Sequence, residues 1–488
     1  MNSPGKVIDV LASELGLSRD SVREKVEKVS SMERIASNVD KETGDRIREY
    51  GLAGVKVDED YKRYYPFGSL ASKVLGFTGS DNQGIIGLEV QYDQILQGTP
   101  GKILTLTDAR GIELPEAGES RLEPVPGDDL QISLDYNIQS YIEQEARRLL
   151  EQKGADSVSI IIMNPQNGEI LGMTNTPEFD LNDPFTLPEE IEGTEEEALN
   201  QMWRNGCIND TYEPGSTFKL VTAASALDSG SANRKSRYKC PGYIVVNGTK
   251  INCWGTAHGT ESLKQAVGNS CNPAMARVAL NMGSKRFYDY IDLFGFDDKT
   301  GIDLPGEGNS IVKNPTNLGD VDLATTGFGQ GIAITPIQLM CAINALGNDG
   351  NLMKPKVVQK ILDSDGKTVR TIKDTKVRKV VSTEVADKMR EIMQYYVEKG
   401  GGGAAYIPGY RIGGKTGTAN IASNGGYSHD TVASFIAMAP MDDPQVTVLV
   451  MVTRPKGSEF GAVNAGPIVN GLVRCTSVSG RQQEIRQE

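Results

Sequence analysis

Three short patterns in the second half of the chain combine residue types suited to acyl transfer. Ser216 and Lys219 stand three apart in Glu213-Pro214-Gly215-Ser216-Thr217-Phe218-Lys219. Ser270 and Asn272 stand two apart in Asn269-Ser270-Cys271-Asn272, and Lys415-Thr416-Gly417-Thr418 follows Gly413-Gly414. A serine hydroxyl attacks a carbonyl only with a base beside it. Residues i and i+3 share a helix face, which brings the Lys219 amine within reach of Ser216. Burial would lower the amine's pKa and leave it neutral part of the time, able to take the proton. A helix start adds free N–H groups that favour a developing oxyanion. Ser270 and Asn272 can line one cleft wall if the backbone between them is extended. Lys415, at the start of an edge strand, suits a carboxylate-bearing substrate. Thr416 and Thr418 then face one side of that strand, and Gly413, Gly414 and Gly417 let a substrate backbone lie close.

Each pattern alone is weak, because the chain holds duplicates. Ser-x-x-Lys recurs at Ser3/Lys6, Ser236/Lys239 and Ser364/Lys367; Ser-x-Asn at Ser80/Asn82 and Ser231/Asn233; Lys-Thr-Gly at Lys299 to Gly301. Context separates them. Pro214-Gly215 is a break from which a helix runs on into Ala223-Ala224, whereas Asp363-Ser364-Asp365-Gly366 is a turn and Lys299-Thr300-Gly301 reads as a strand end.

The elements that must position these residues follow from periodicity. Residues 1 to about 30 read as helical, with Ser18 and Ser21 as caps. A mixed region to residue 124 includes a short strand at Gly54–Val57. Glu123 to Asp129 is a Pro/Gly/Asp boundary, so the reading is an N-terminal module over 1–124 and a larger domain over 125–488. In the latter a strand (Leu130–Leu134), an amphipathic helix (Ile138, Ile142, Ala146, Leu149 inward, Gly154 after its end) and two strands (Ser157–Met163, Glu169–Met173) come first. Helical patterns dominate residues 200–400. Strands at Tyr410–Thr418, Val432–Ala439 and Val446–Val452 come last. Early strands, a helical middle and late strands predict an α+β domain, an antiparallel sheet flanked by helices. Gly400 to Gly403 reads as a mobile loop, and Trp203 and Trp254 as packing residues.

Composition narrows the function. The 488 residues carry 51 basic against 64 acidic side chains, a net −13. That charge disfavours nucleic acid. No segment approaches the roughly 20 apolar residues that span a bilayer. The six cysteines are too few for a disulfide scaffold. Cys253, His258 and Cys271 have a spacing that suits zinc, with His429, Asp430 or water as the fourth ligand. Two other readings stand beside it: a Cys253–Cys271 disulfide in an oxidising compartment, and residues with unlinked roles. Cys207, Cys240, Cys341 and Cys475 read as core or incidental thiols.

The three patterns, in this order and with their flanks, resemble the class B penicillin-binding proteins. The resemblance also rests on Tyr212-Glu213, Pro273, Thr300 to Glu307, Gly327-Phe328-Gly329-Gln330-Gly331 and Ala419, and on Arg63-Tyr64-Tyr65-Pro66 and Gly87-Leu88-Glu89 in the early module. It covers roughly residues 33–472, and Cys271 with Pro273 is most similar to the sporulation-specific branch. The resemblance implies a penicillin-binding transpeptidase fold on an N-terminal mixed α/β pedestal. It implies a peptidoglycan D,D-transpeptidase that cross-links stem peptides through a serine acyl-enzyme and is acylated by β-lactams. Ser216 would be the nucleophile, Lys219 its base, Ser270 the proton shuttle and Asn272 the holder of Lys219. Lys415, Thr416, Gly417 and Thr418 would bind substrate, with the N–H groups of Ser216 and Thr418 as the oxyanion hole. The implied mechanism requires no cofactor; a structural zinc at Cys253, His258, Cys271 and His429 is the reading that spacing, not the resemblance, suggests. A glycosyltransferase partner would dock through the pedestal. The family is tethered to the outer face of the cytoplasmic membrane, at the forespore septum in the sporulation branch; the expectation is a soluble truncated form lacking the anchor. The rival functions are a serine β-lactamase and a non-catalytic β-lactam sensor or scaffold.

Overall fold

The computed structural model of this protein describes residues 4–30, 32–58, 62–104, 120–188, 193–423, 426–458 and 460–478. The chain forms two compact units: Met1–Pro66 with Gly76–Asp129 and Asp363–Gly366, and Phe67–Leu75 with Leu130–Leu362 and Lys367–Glu488.

In the first unit, helices Pro4–Leu15, Arg19–Val26 and Lys41–Glu49 bury Val7, Ile8, Leu11, Val22 and Ile47 against one another. Ser18 caps the second by accepting from Ser21 N at 3.2 Å, so Ser21 lies inside the helix that Ser18 starts. Gly54–Val57 is not a strand, since among the described residues no strand pairs with it. The two early segments singled out by resemblance meet: Arg63 Nε donates to Glu89 Oε1 at 2.7 Å and the Tyr65 hydroxyl to the same oxygen at 3.1 Å. Glu89 is buried, so its charge needs these partners.

The second unit is built on helix α1 (Tyr136–Lys153), strands β1 (Ser157–Met163) and β2 (Ile170–Asn175), and helices α2 (Lys219–Asp228), α3 (Leu263–Gly268), α4 (Asn272–Met282), α5 (Pro336–Gly347) and α6 (Thr383–Lys399). Strands β3 (Gly413–Ser423), β4 (Gly426–Ala439) and β5 (Val446–Thr453) and helix α7 (Gly466–Val478) complete it. The five strands pair antiparallel in the order β3-β4-β5-β1-β2, which leaves β3 at an edge. β3 and β4 run past their apolar cores into a ribbon longer than periodicity predicts. Ile138, Ile142 and Ala146 of α1 and Ile468, Val469 and Leu472 of α7 cover one sheet face, packed on Ile160, Phe435 and Val450. α5 covers the other, where a Cβ on Gly347 would meet Met438 Sδ at 2.5 Å. With both faces covered, β4 and β5 are buried along nearly their whole apolar runs. Each fully buried large apolar side chain contributes about 1.5–3 kcal/mol, so the sheet is a stiff platform for its edge strand. Gly154 ends α1 with φ 51°. Lys299 to Gly301 is a loop rather than a strand end, its Thr300 and Gly301 N–H groups held by the Glu307 carboxylate at 2.6 and 3.0 Å.

Candidate active site

The Ser216 segment forms a 3-10 turn, Gly215–Phe218, and α2 starts only at Lys219. In such a turn side chains at i and i+3 eclipse, so Ser216 and Lys219 still share a face. Gly215 has φ 54°, and its N–H donates to Gly329 O at 3.0 Å. A Cβ on Gly329 would lie 2.0 Å from Gly215 O, so position 329 must be glycine to hold this turn.

Ser270 and Asn272 are not on an extended stretch. Ser262 caps α3 through a reciprocal pair with Gln265, the helix ends at Gly268, and Pro273 starts α4 almost at once. The chain between must turn sharply, and Ser270 takes φ 53°, a left-handed conformation that costs a non-glycine residue about 1–2 kcal/mol. That turn aims both the carbonyl and the hydroxyl of Ser270 at Lys219. Lys219 Nζ donates to Ser270 O at 2.6 Å and Asn272 Oδ1 at 2.6 Å, and lies 3.1 Å from Ser270 Oγ. From the opposite wall Lys415 Nζ lies 3.0 Å from the same Oγ and donates to Thr416 O at 3.0 Å. One hydroxyl therefore bridges two amines, and all three patterns meet at it.

Both lysines are fully buried. Burial lowers the Lys219 pKa to about 7, against the opposing pull of Cys271, Cys253 and Glu261. Burial, then repulsion from Lys219, holds Lys415 well below the ordinary lysine range. Two adjacent buried ammonium groups are too costly, so the site favours a neutral amine at neutral pH.

On β3, Lys415, Gly417 and Ala419 face inward and Thr416, Thr418 and Asn420 are half-buried, the alternation expected of a strand. Thr416 N donates to the Tyr396 hydroxyl at 3.4 Å, away from β4. Thr418, two residues on, presents its N–H to the same open edge. Its carbonyl agrees: a Cβ on Gly215 would come within 2.8 Å of Thr418 O. The N–H of Thr418 thus faces the turn that carries Ser216. The glycines around Lys415 serve the protein's own packing rather than clearing room for a ligand. A Cβ on Gly417 would lie 2.3 Å from Ser434 Oγ, and one on Gly413 2.5 Å from Met441 Sδ.

Tyr396 carries no motif, and sequence reasoning misses it. Its ring lies under Lys415 Nζ at 4.2 Å, and its hydroxyl bonds Thr416 Oγ1. Gly400–Gly403, expected as a mobile loop, wraps this ring: a Cβ on Gly402 would sit 2.7 Å from Tyr396 Cδ1 and one on Gly400 2.6 Å from Gly268 O. The run of small residues after the helical period of α6 was the available signal.

Cys253, His258 and Cys271 do converge, but the fourth member is Cys240. One ligand atom from each of the four lies within 4.8 Å of the other three. His429 stands exposed on β4, far along the ribbon, and is not among them. Cys240 ends the strand Arg237–Cys240 that pairs with Gly259–Ser262, and this register carries it under the turn that bears His258, which sequence spacing could not show. Cys207 and Cys341 are core thiols, and the three cysteines of the cluster are free. Cys253 Sγ is 3.7 Å from His258 Nδ1, close to the ligand–ligand edge of a tetrahedral zinc site, about 3.6 Å. The thiol of Cys271 lowers the pKa of Cys253 to about 5, while that neighbour and burial raise Cys271. Glu261 is buried beside the group, with Oε1 lacking a hydrogen-bond partner. This donor set fits zinc. Trp254 is 61% exposed rather than packed, its indole N–H donating to Asn269 O at 2.9 Å.

Comparison with known proteins points to one family. The model of the penicillin binding protein transpeptidase domain matches residues 158–474, and that of the penicillin-binding protein dimerisation domain matches residues 2–132. The chain is similar to Stage V sporulation protein D of Bacillus subtilis, 38% identical over 97% of this chain and 73% of that protein. It is similar to the peptidoglycan D,D-transpeptidase FtsI of Escherichia coli, 30% identical over 91% of this chain and 72% of that protein. Among solved structures it is similar to penicillin binding protein 3 of Mycobacterium tuberculosis, with a TM-score of 0.75 at 26% identity, covering 87% of this chain and 92% of that one. The same protein complexed with aztreonam has a TM-score of 0.75 at 26% identity, covering 87% and 91%.

Proposed function

This chain belongs to the class B penicillin-binding proteins, and on that premise we propose that it is a peptidoglycan D,D-transpeptidase whose nucleophile is Ser216. The observation that carries the reading is Ser270 Oγ, set 3.1 Å from Lys219 Nζ and 3.0 Å from Lys415 Nζ. A neutral Lys219 donates its two N–H groups to Ser270 O and Asn272 Oδ1, which leaves its lone pair for a proton. It takes that proton from Ser216 as Oγ attacks the penultimate D-Ala carbonyl. The N–H groups of Ser216 and Thr418 receive the oxyanion. The carbonyl re-forms, the C–N bond breaks, and the proton passes from Lys219 through Ser270 Oγ to the departing D-Ala amine. Lys415, Thr416 and Thr418 hold the terminal carboxylate, with the small Gly417 between them. A second stem peptide's amine then attacks the acyl-enzyme, yields its proton by the reverse path, forms the cross-link and frees Ser216. A β-lactam enters the first half of this sequence and stays as the acyl-enzyme.

Intact mass after benzylpenicillin, with peptide mapping, tests the assignment. One adduct on Ser216, persisting for hours and absent from Ser216→Ala, is the expected result. An unlabelled wild type would support a silent scaffold, and rapid turnover a β-lactamase.

We further infer that Cys240, Cys253, His258 and Cys271 would hold a structural zinc, which would tie the Ser270–Asn272 turn to the Arg237–Cys240 strand and take no part in acyl transfer. Metal analysis of the purified protein and of Cys240→Ser tests it, with about one zinc per chain and its loss as the expected pair of results. The pedestal is the surface we assign to a glycosyltransferase partner. Among the described residues no helix is long and apolar enough to cross a membrane. The place of action we propose is the outer face of the cytoplasmic membrane, at the forespore septum for the sporulation branch, and a pull-down from sporulating cells would test both.

A further inference from the structure

The Glu213 side chain, three residues before the nucleophile, joins three segments. Its Oε1 accepts from Gly331 N at 2.9 Å, and the Tyr427 hydroxyl lies 3.1 Å from each of its carboxylate oxygens. Tyr212 and Ile334 exchange backbone hydrogen bonds on one side of it, and Gly215 N reaches Gly329 O on the other. Glu213 is therefore flanked on both sides by backbone ties to the 329–334 segment. Tyr427 sits near the tip of the β3–β4 ribbon, opposite Ala422. The ribbon extends beyond Thr418, and the nucleophile turn touches it there, at Thr418 and Ala419. The base of the ribbon is also tied where Arg454 Nε lies 3.2 Å from Asp430 Oδ2, and a tie nearer the tip keeps the outer part from swinging.

We propose, resting on the transpeptidase reading, that Glu213 and Tyr427 form a brace that fixes the β3–β4 ribbon to the nucleophile turn and are positioning residues for acylation. The brace keeps the Thr418 N–H in register with Ser216, a distance on which oxyanion stabilisation depends. Neither residue touches the reacting atoms. Tyr427 is 52% exposed, so removing its hydroxyl subtracts one hydrogen bond and no core packing.

Acylation by a fluorescent penicillin, followed by stopped flow over a range of concentrations, separates initial binding from the acylation step in wild type, Tyr427→Phe, Glu213→Ala and the double variant. Tyr427→Phe is expected to slow the acylation step about three- to tenfold, the effect of one hydrogen bond, with binding and the thermal midpoint unchanged. The double variant is expected to be no slower than Glu213→Ala. Glu213→Gln, whose amide oxygen still accepts from Gly331 N and Tyr427, restores most of the rate. A Tyr427→Phe enzyme that acylates like wild type overturns the brace alone, as do losses that multiply in the double variant. A wild type that takes no label at Ser216 overturns the transpeptidase reading and the brace with it.

Discussion

Replacing Lys219 with methionine separates what the site needs for chemistry from what the fold needs for stability. An unfolded lysine titrates near 10.5, and Lys219 in place titrates at about 7. At pH 7.5 the unfolded amine is charged and the folded one mostly neutral, which costs the fold about 4 kcal/mol. Methionine removes that cost. It also leaves Ser270 O and Asn272 Oδ1 without a donor, about 1–3 kcal/mol each. The two effects nearly cancel, so Lys219→Met is expected within about 2 kcal/mol of wild type at pH 7.5. The sign of the pH dependence is fixed. Between about 7 and 10.5 the unfolded state binds more protons at this site, so wild-type stability rises with pH relative to the variant. Acylation is expected to fall by at least about 10²-fold, the contribution of a general base. Urea unfolding of both proteins from pH 7 to 10, beside intact-mass labelling with penicillin, measures both quantities. A variant that acylates within tenfold of wild type, or a stability difference flat across that range, would refute the argument.

The same amine sets a pH profile: wild-type acylation should rise with pH through about 7 and level off above it, since only the neutral form accepts the proton. A flat stopped-flow profile from pH 6 to 9 would exclude Lys219 as the base. Ser270→Ala deletes the bridging hydroxyl but keeps the carbonyl that Lys219 donates to. Acylation should drop about 10²-fold or more while stability changes by no more than about 1.5 kcal/mol, read by labelling rate and urea midpoint. Tyr396→Phe keeps the ring beneath Lys415 but removes the hydroxyl at Thr416. It should cost about 1–2 kcal/mol of stability and raise the KM for a D-Ala-D-Ala peptide severalfold, and an unchanged KM would remove Tyr396 from the site.

The α+β class, the five strands of the main sheet and the helix Tyr136–Lys153 were legible in the chain, because periodicity and caps are local properties. The convergence of Lys219, Ser270, Asn272 and Lys415 was foreshadowed by residue type and close spacing, and with Ser216 they carry the proposed chemistry. What these residues do to one another was not legible. Ser270 and Lys415 are 145 positions apart, and only the edge placement of β3 against the α3–α4 turn sets one hydroxyl between two buried amines. The Ser270 turn is left-handed rather than extended because Pro273 starts a helix directly after another has ended, a conflict that shows only when both helices are in place. Cys240 joined the cysteine cluster, and His429 left it, through strand register, which spacing along the chain does not encode. Tyr396 was hidden for the same reason, and although the glycine run after α6 is visible in sequence, a glycine that yields to a neighbouring ring looks there like one that yields to solvent. Residue type determines which chemistry is available, and burial and long-range pairing decide which amine is neutral and what it can reach.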